Sequence, residues 1–326
     1  MGKLKSIMVV MPSRQQMSPA VHRAMAYARR TETVLYLQLF DHYAPIDYSE
    51  SIFGAEVAER ARRDYIEERM RWLTQQAAGL ADQGLRVECD VVWAPRPHEA
   101  IIGRILGLEP DVVLKDVDCE PDSGALRLAA VDWKLLRLNP APVMLVHPQS
   151  KLLPHHVLAA VDVTVAGGEA ALNDEIVDAA RLFSALSGAE MDIVSVFSYN
   201  PLKPYGTGFI AESYELMDSA HKQALERFAA RQKIAAAHVK RVCTLDAGGG
   251  IAEYAKKSGS DLVVLGCAYH GGLERLLFGT TAEALLRRLT CDALLVKPSG
   301  YLAELAKHLD LEALKTKYAA GIVETS

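Results

Sequence analysis

Apolar residues recur along this chain in short, nearly continuous runs that alternate with longer amphipathic stretches. Runs such as Ser6–Met11 and Thr33–Phe40 lack the polar alternation of a half-exposed strand, and this is typical of strands that are buried on both faces. Many of the intervening stretches place apolar residues three and four positions apart, as a helix with one buried face requires. The pattern therefore predicts a parallel sheet covered by helices on both sides.

The same order of elements is predicted twice. In the first half, strands are expected at Ser6–Met11, Thr33–Phe40, Arg86–Val92, Asp111–Lys115 and Val143–His147, and helices at Ser18–Arg30, Ala55–Ala81, His98–Gly107 and Asp132–Leu138. In the second half, strands are expected at Val157–Val161, Met191–Phe197, Val239–Cys243, Asp261–Leu265 and Ala293–Val296, and helices at Asp174–Leu186, Ile210–Lys233, Ile251–Lys257 and Thr281–Leu289. The helix that ends at Gly107 is predicted to be capped by that glycine. The segment after Phe40, rich in Tyr, Asp, Pro and Ser, is predicted to be a loop.

The two halves also match each other residue by residue, at a fixed offset of 150 positions and without gaps. The matching pairs are Pro110–Lys115 with Ser260–Leu265, Asp132–Arg137 with Ala282–Arg287, and Pro142–Pro148 with Asp292–Pro298. A repeat of this length predicts two copies of one domain. We therefore expect domains at 1–148 and 157–298, followed by a tail at 299–326 whose leucine spacing predicts helices that pack on the body or on a partner.

Composition narrows the class of protein. The chain has 326 residues, half of them apolar, and a formal net charge of −5, which is the profile of a soluble globular protein without a nucleic-acid surface. No apolar stretch approaches the length of a membrane span. Five widely spaced cysteines without a C-x-x-C pair are typical of reduced thiols. We therefore expect a cytoplasmic protein.

The strand ends of the second half carry the candidate chemistry, because an open parallel sheet binds ligands beyond the carboxyl ends of its strands. Asp162 follows the first strand and can accept hydrogen bonds from an amino group or a ribose hydroxyl. Gly266 follows the fourth strand and allows a sharp turn and a close approach of a ligand. Gly279, Thr280 and Thr281 open the next helix, where free N–H groups and hydroxyls suit phosphate oxygens. The alternative is that the glycines only end a strand and cap a helix.

Three segments of the chain resemble signatures of the universal stress protein family, and in particular of its tandem, two-domain E-type members. They are Val92–Ile102, Asp132–Arg137 and Gly272–Arg287. The resemblance covers nearly the whole chain to Pro298. It implies an α/β fold of two tandem Rossmann-like (HUP-type) domains, each an open five-stranded parallel sheet of order 3-2-1-4-5 flanked by helices. It also implies tight pairing of the two domains, and we further expect a homodimer.

Many members of that family hold ATP in a loop of the form G-x2-G-x9-G-[S/T], and the resemblance places this loop from Gly266 to Thr280. It also places Asp162 and Val196 beside the adenine and ribose, and Leu265 beside the base. The second glycine of the loop is replaced by Tyr269, whose phenol ring competes for the volume that would let backbone N–H groups close on the phosphates. Whether ATP, with Mg²⁺ accompanying it, still binds therefore stays open.

Other residues near the loop also have two readings. His270 is either a contact to the anion or a solvated loop histidine. Cys267 is either a reactive thiol with a lowered pKa or a small residue tolerated in the loop. Cys243 and Cys291 are expected in the core. The run Gly248–Gly250 either cradles a ligand or marks a flexible loop.

The first half lacks the features of this crevice. At the fixed offset, Asp116 stands for Gly266, and the other replacements are Ala129 for Gly279, Ala130 for Thr280 and Pro12 for Asp162. Asp116 also begins an acidic segment with Asp118, Glu120 and Asp122, which is predicted to be a loop that repels a triphosphate. The alternative is that this loop collects a divalent metal with oxygen ligands. We therefore expect the first domain to be a structural or partner-binding copy that holds no nucleotide.

No catalytic constellation is visible at the strand ends, neither a Ser–His–Asp order, a nucleophile elbow, an H-E-x-x-H motif nor a P-loop lysine. We therefore expect no enzyme, with at most slow ATP hydrolysis. Two functions stay open. One is a cytoplasmic stress-response binding and signalling module whose second domain holds ATP or another adenine nucleotide. The other is an interaction scaffold without nucleotide, or a binder of a small apolar ligand.

Overall fold

The computed structural model describes residues 4–164, 168–198, 207–267 and 279–319, and within them strands and helices alternate as the apolar pattern predicts. The elements of the first repeat are β1 (Ser6–Met11), α1 (Pro19–Ala28), β2 (Val34–Asp41), α2 (Ala44–Phe53), α3 (Ala55–Ala81), β3 (Arg86–Trp93), α4 (Pro97–Leu108), β4 (Val112–Asp116), β5 (Asp118–Cys119), β6 (Leu126–Arg127), α5 (Ala130–Leu138) and β7 (Val143–Val146).

The second repeat follows the same plan and ends in a helical tail. Its elements are β8 (His156–Ala160), α6 (Gly168–Ser187), β9 (Glu190–Phe197), α7 (Thr207–Arg231), β10 (Val239–Cys243), α8 (Ala247–Ser258), β11 (Leu262–Gly266), α9 (Thr280–Leu286) and β12 (Asp292–Val296), with α10 (Tyr301–Leu305) and α11 (Leu311–Lys317) in the tail. None of the helices in the described ranges is both long and apolar enough to cross a membrane.

Each repeat forms five parallel strands in the predicted order 3-2-1-4-5. The order is β3-β2-β1-β4-β7 in the first repeat and β10-β9-β8-β11-β12 in the second. In the first repeat, Ile7 lies beside Leu35 on one neighbour and Val112 on the other. In the second, Val157 lies beside Met191 and Leu262. The predicted fold class is therefore confirmed.

The central strands carry the core of each repeat. Ile7, Met8 and Val9 in β1 have no exposed surface, and neither do Val157 and Leu158 in β8. Side chains pointing to both faces of these strands are buried, as the continuous apolar runs predict. Each such side chain stabilises the fold by about 1.5–3 kcal/mol relative to an exposed one.

The chain divides into two compact units that do not follow the sequence halves strictly. One unit takes in Lys3–Asp116, Ala129–Val146 and Leu302–Ser326, and the other takes in Val117–Leu128 and His147–Tyr301. The short antiparallel hairpin of β5 and β6 therefore belongs to the unit of the second repeat, where the N–H of Leu126 donates to the carbonyl of Leu289 at 2.8 Å. The domain limits 1–148, 157–298 and 299–326 stay a proposal.

The tail packs on the unit of the first repeat, through α11 and α4. Tyr318, directly after α11, is buried, and Gly103 in α4 makes room for its ring. Arg104 is also buried, and its guanidinium donates to the backbone carbonyls of Tyr318 (3.3 Å) and Ala319 (2.7 Å). The same guanidinium pairs with Asp90 at 2.8 Å, so one cation ties the tail to the sheet.

Three local predictions are wrong. The segment after Phe40 is not a loop but contains α2. This helix has Pro45 in its first turn and is followed by Gly54, which has a positive φ of 86°. The acidic segment after Asp116 contains the β5–β6 hairpin. Helix α4 is not capped by Gly107, which lies inside it; Glu109 adopts the left-handed conformation instead, with φ of 46°.

Candidate functional site

The candidate site lies in the unit of the second repeat, at the carboxyl ends of its strands. A cavity of about 220 Å³ opens there between β8, β9, β11 and the start of α9. Seven of the nine predicted site residues line this inner cavity: Asp162, Val196, Leu265, Gly266, Gly279, Thr280 and Thr281. The other two, Tyr269 and His270, lie outside the described residues. The fold thus brings together positions that are more than 100 residues apart in the chain.

A larger outer cavity of about 880 Å³ adjoins the first and shares part of its wall, including Asp162, Val196 and Thr280. Its far side is one face of α7, where Met217, Ala220, His221 and Ala224 follow one another at helical spacing. The two alanines leave the space that the outer cavity occupies. A ligand held at Asp162 therefore has room to extend toward α7.

Asp162 is held in place by its neighbours and keeps one oxygen available. Its Oδ1 accepts from the backbone N–H (2.9 Å) and the hydroxyl (2.6 Å) of Thr164. The buried side chain of Asn173 bonds both backbone groups of Asp162: its Oδ1 accepts from the N–H (2.9 Å), and its Nδ2 donates to the carbonyl (2.7 Å). Among the described residues, Oδ2 has no hydrogen-bond partner. Asp162 is thus an exposed, positioned acceptor at the rim of both cavities.

The two site glycines, Gly266 and Gly279, differ in the space that a Cβ atom would find at each position. A Cβ at Gly266 would lie 2.6 Å from Leu172 and 3.0 Å from Ile176, so α6 packs into that space. Among the described residues, a Cβ at Gly279 would meet nothing within 4 Å. Gly279 also has a φ of −57°, which any residue can adopt. Packing against α6 thus accounts for Gly266, whereas no described residue occupies the space beside Gly279.

The run Gly248–Gly250 is not a flexible loop. It lies in the first turn of α8, where Asp246 is the N-cap and its carboxylate accepts from the N–H of Gly249 at 3.0 Å. A Cβ at Gly248 would lie 2.8 Å from the backbone of both Thr281 and Leu285. Gly248 therefore lets α8 and α9 approach closely, and it also lines the outer cavity.

His221 is a site residue that the sequence analysis missed. Its ring is buried on the wall of the outer cavity, where its Nδ1 accepts from Arg241 Nε at 3.1 Å. The neutral ring therefore carries its proton on Nε2, which lies 3.2 Å from Ser195 Oγ. Burial, and next the charge of Arg241, lower the pKa of His221, while the carboxylates of Asp162 and Asp218 oppose the shift. The ring is thus neutral at pH 7 and held in one tautomer.

One sequence signal could have identified this face of α7. Met217, Ala220, His221 and Ala224 repeat at the three- and four-residue spacing of a buried helix face, but two of them are alanines, which fill little space. Such a stripe is compatible with a helix that stands away from its sheet. The contact between His221 and Arg241, however, depends on how α7 and β10 meet, and no local pattern carries that information.

Two of the cysteines of the second repeat have thiols whose pKa is raised by burial. Cys267 is buried, and burial raises the pKa of its thiol to about 11, so the reactive-thiol reading is wrong. The thiol of Cys291 likewise has a raised pKa, chiefly through burial. Cys243 is exposed at the end of β10, which corrects its predicted place in the core. All five cysteines are free, and within the described ranges no group of three His, Cys, Asp or Glu side chains could hold a metal ion.

The equivalent strand ends of the first repeat are filled by side chains of the protein itself. Asp116, at the position of Gly266, turns inward, and its Oδ1 accepts from the N–H of Ala20 at 2.8 Å, while burial raises its pKa. At the end of β2, the carboxylate of Asp41 accepts from Tyr65 Oη (2.8 Å) and Arg69 Nε (2.7 Å).

Three members of the predicted acidic series, Asp118, Glu120 and Asp122, belong to the hairpin segment Val117–Leu128. Within that hairpin, the carboxylate of Asp118 pairs with Arg127 at 3.1 Å, which compensates part of its charge.

Comparison with known proteins gives a consistent assignment. A model described as the universal stress protein family matches residues 154–297. Universal stress protein E of Escherichia coli K12 is 27% identical over 317 residues, which cover 92% of this chain and 96% of that protein. Universal stress protein A homolog 1 of Coxiella burnetii is 31% identical over 146 residues, which cover 43% of this chain and 94% of that protein.

A solved structure supports the fold over nearly the whole length. The crystal structure of a putative universal stress protein from Pseudomonas aeruginosa UCBPP-PA14 matches with a TM-score of 0.72 and 24% sequence identity, and it covers 93% of this chain and 97% of that chain. The likeness extends through both repeats, so the tandem arrangement of two α/β domains is shared with that protein.

Proposed function

Because this chain belongs to the universal stress protein family, we propose that it is a stress-response binding module whose second repeat holds an adenine nucleotide such as ATP. Membership of the family supports the stress-response role, and its members are generally not enzymes. The proposal includes a cytoplasmic location and a homodimer, both expected from the sequence. It includes no enzymatic activity beyond at most slow ATP hydrolysis, as expected from the sequence.

The observation that carries the proposal is the open space in front of Gly279, in a cavity lined by every described residue of the predicted set. A residue without a side chain is not needed there by the fold, since its φ is ordinary and a Cβ would touch nothing. The hydroxyls of Thr280 and Thr281 border the same space. A phosphate group of a ligand fits this combination of free volume and hydrogen-bond donors.

The remaining lining residues suit the rest of a nucleotide. Oδ2 of Asp162 can accept from an exocyclic amino group or a ribose hydroxyl, and Thr164 and Asn173 hold this side chain and its backbone in place. Val196 and Leu265 offer apolar contact to a base. Any Mg²⁺ would arrive with the phosphates, because the described residues offer no group of three ligands for it.

The volume of the site is compatible with a nucleotide only when both cavities are counted. Pockets for small ligands usually enclose about 300–1,000 Å³. The inner cavity of about 220 Å³ is below this range, but it shares Asp162, Val196 and Thr280 in its lining with the outer cavity of about 880 Å³. We therefore propose that the ligand spans the two.

The test uses two substitutions at Gly279 that differ only in charge. Gly279→Asp and Gly279→Asn both place a good N-cap residue at the start of α9, so neither should weaken the helix. Calorimetric titration with ATP and Mg²⁺ should show binding to the wild type and a modest loss for Gly279→Asn. Gly279→Asp should lose at least roughly tenfold in affinity, because two like charges about 4 Å apart repel by as much as about 4 kcal/mol at an effective dielectric constant of 20.

Adenosine, which carries no phosphate, serves as the control ligand, and it should bind both variants equally. Asp162→Asn should weaken ATP and adenosine alike, since it changes the group that faces the nucleoside. Equal affinities of Gly279→Asp and Gly279→Asn for ATP would contradict a phosphate site at Gly279. No heat of binding with the wild type would favour the scaffold or the apolar ligand instead.

The alternative of an apolar ligand rests on the outer cavity. Met217 and Leu245, on opposite walls, are 53% and 65% exposed, and both line that space. Large apolar side chains exposed in a concave surface mark it as a place for an apolar group. A fluorescent apolar dye should bind the wild type and should bind Met217→Gln more weakly. This result, in a protein that shows no heat of binding with ATP, would decide for this function.

A further inference from the structure

Helix α2 and the start of α3 present large apolar side chains to solvent. Tyr43, Tyr48, Ile52, Phe53 and Val57, which we name the α2 face, are each between 50% and 71% exposed. Tyr48 and Ile52 are four residues apart and thus lie on the same side of the helix. The α2 face belongs to the unit of the first repeat, and no step of the proposed nucleotide binding uses it.

The fold holds α2 by its other side. Ile46 is the one residue of α2 that is buried, and Asp47 pairs with His42 (2.5 Å) and with Arg62 (3.2 Å). These contacts fix the helix on the body while its largest side chains point outward. The exposed residues therefore add nothing to the core, and their presence calls for a partner.

The size of the α2 face indicates what kind of partner fits. Three aromatic and two aliphatic side chains at these exposures amount to roughly 600 Å² of surface, at the upper limit of the largest apolar patch on a typical monomer. A standard protein–protein interface buries about 800 Å² on each partner, and obligate dimers bury more. One face of a single docked helix matches this area better than an obligate dimer does.

Charge around the α2 face decides between partners. The segment 43–57 contains Asp47, Glu50 and Glu56 but no Lys, Arg or His, and of the three arginines in the next turn of α3, Arg62 pairs with Asp47 and Arg63 with Glu59, which leaves Arg60. Glu50 and Glu56 are exposed and have no ion-pair partner among the described residues. A second copy of this face would bring like charges together, and an anionic lipid surface would be repelled as well. A partner with basic residues beside its apolar side complements both features.

We propose that the α2 face is a docking site for a basic amphipathic helix of a partner protein. The apolar side of that helix packs on Tyr48, Ile52 and Phe53. Its Lys or Arg side chains pair with Glu50 and Glu56 at the rim, which sets the orientation and speeds association.

The experiment uses the full chain and two synthetic helical peptides of about 18 residues, five turns of helix. Both peptides carry the same leucine side, and the polar side carries lysine in one and glutamate in the other. Fluorescence anisotropy of the labelled peptides measures binding to the wild type, to Ile52→Gln/Phe53→Gln and to Glu50→Gln/Glu56→Gln. Leu152→Gln is the matched control, because Leu152 is similarly exposed but lies in the other unit.

The lysine peptide should bind the wild type and Leu152→Gln equally, and the glutamate peptide should bind at least roughly tenfold more weakly. Ile52→Gln/Phe53→Gln should lower affinity by a similar factor, and Glu50→Gln/Glu56→Gln should lower it less and reduce its salt dependence. The proposal is overturned if the wild type binds neither peptide or both alike, or if the apolar substitutions change nothing. It is also overturned if those substitutions instead abolish self-association measured by sedimentation, because a second copy would then be the occupant. Loss of flotation with vesicles would overturn it in the same way and would identify a lipid surface.

Discussion

Gly103→Ala tests how the C-terminal tail is held, because it adds a single methyl group at the tightest contact of the tail. In α4, a Cβ at Gly103 would lie 2.6 Å from the carbonyl oxygen of Leu314 and 2.8 Å from the ring of Tyr318. The first of these atoms belongs to the backbone, so no rotation of a side chain relieves the overlap. We therefore expect α11 to be pushed away from α4.

The cost can be worked out from what the tail loses. Tyr318 is 2% exposed, and burying a side chain of that kind stabilises by about 1.5–3 kcal/mol. The backbone carbonyls of Tyr318 and Ala319 would also lose their hydrogen bonds from the charged Arg104. Each such bond contributes at most about 1.5–3 kcal/mol, and the net loss is smaller because water can bond to Arg104 in place of the tail. Partial displacement should therefore lower the free energy of unfolding of this unit by about 2–4 kcal/mol.

Urea unfolding measures this loss, and amide hydrogen exchange localises it to residues 311–319. Gly107→Ala is the control, since Gly107 lies one turn further along α4 and a Cβ there meets nothing within 4 Å. It should leave stability unchanged or raise it by up to about 1 kcal/mol. Tyr318→Ala should cost a similar amount to Gly103→Ala, and the double variant should cost less than both together, because the same docking is lost only once. Additive costs, or unchanged exchange in α11, would refute the reasoning.

Three further predictions concern the second repeat. Gly266→Ala should cost about 1–3 kcal/mol of unfolding free energy in urea, because its Cβ would overlap Leu172; an unchanged midpoint would contradict this. The pKa of His221 is lowered in the folded state, so the unfolded chain takes up more protons than the folded chain as the pH falls below 6.5. The free energy of unfolding therefore decreases below that pH. His221→Gln should therefore show a smaller loss of unfolding free energy between about pH 7 and pH 5 than the wild type does. Iodoacetamide at about pH 8 should label Cys243 but not Cys267, whose thiol has a pKa near 11; mass spectrometry of the native protein decides, and equal labelling would argue against the burial.

The elements that bury an apolar side could be predicted directly from the sequence. The strands of both repeats lie within a residue or two of their predicted bounds, because a strand buried on both faces leaves a continuous apolar run. Helix α2 was missed for the opposite reason, since its apolar residues face solvent and only Ile46 marks a buried side. The end of α4 was misplaced because Glu109, not a glycine, takes the left-handed conformation.

The residues of the candidate site also fall into two groups, those that could be predicted from the sequence and those that could not. Residues that directly follow a strand or open a helix could be predicted, since the carboxyl ends of parallel strands meet at one edge of the sheet. The contact of His221 with Arg241 could not, because it joins a helix and a strand whose separation depends on the small side chains between them. Nor could the docking of Tyr318 at Gly103, where residues more than 200 positions apart meet through a missing side chain.

The two repeats show which position makes the difference between a filled crevice and an open one. At the end of the fourth strand, both repeats are filled: the carboxylate of Asp116 holds the N–H of Ala20 in the first, and Leu172 packs over Gly266 in the second. Replacing Asp116 by glycine would therefore not by itself create a site in the first repeat. A second position to compare is the start of the following helix.

At that helix start the first repeat is closed by an ion pair, and the second is not. Asp132 accepts from the N–H of Ala129 at 2.7 Å and pairs with Lys115 at 2.7 Å, so the first turn of α5 is tied to the sheet. The offset of 150 residues places Leu265 and Ala282 where the first repeat has this pair, and Gly279 stands for Ala129. The second repeat lacks this pair, and a Cβ at Gly279 would meet no atom of the described residues within 4 Å. We therefore expect an anion site in the second repeat to depend on Gly279 and on the absence of the ion pair, rather than on the glycine at the end of the strand.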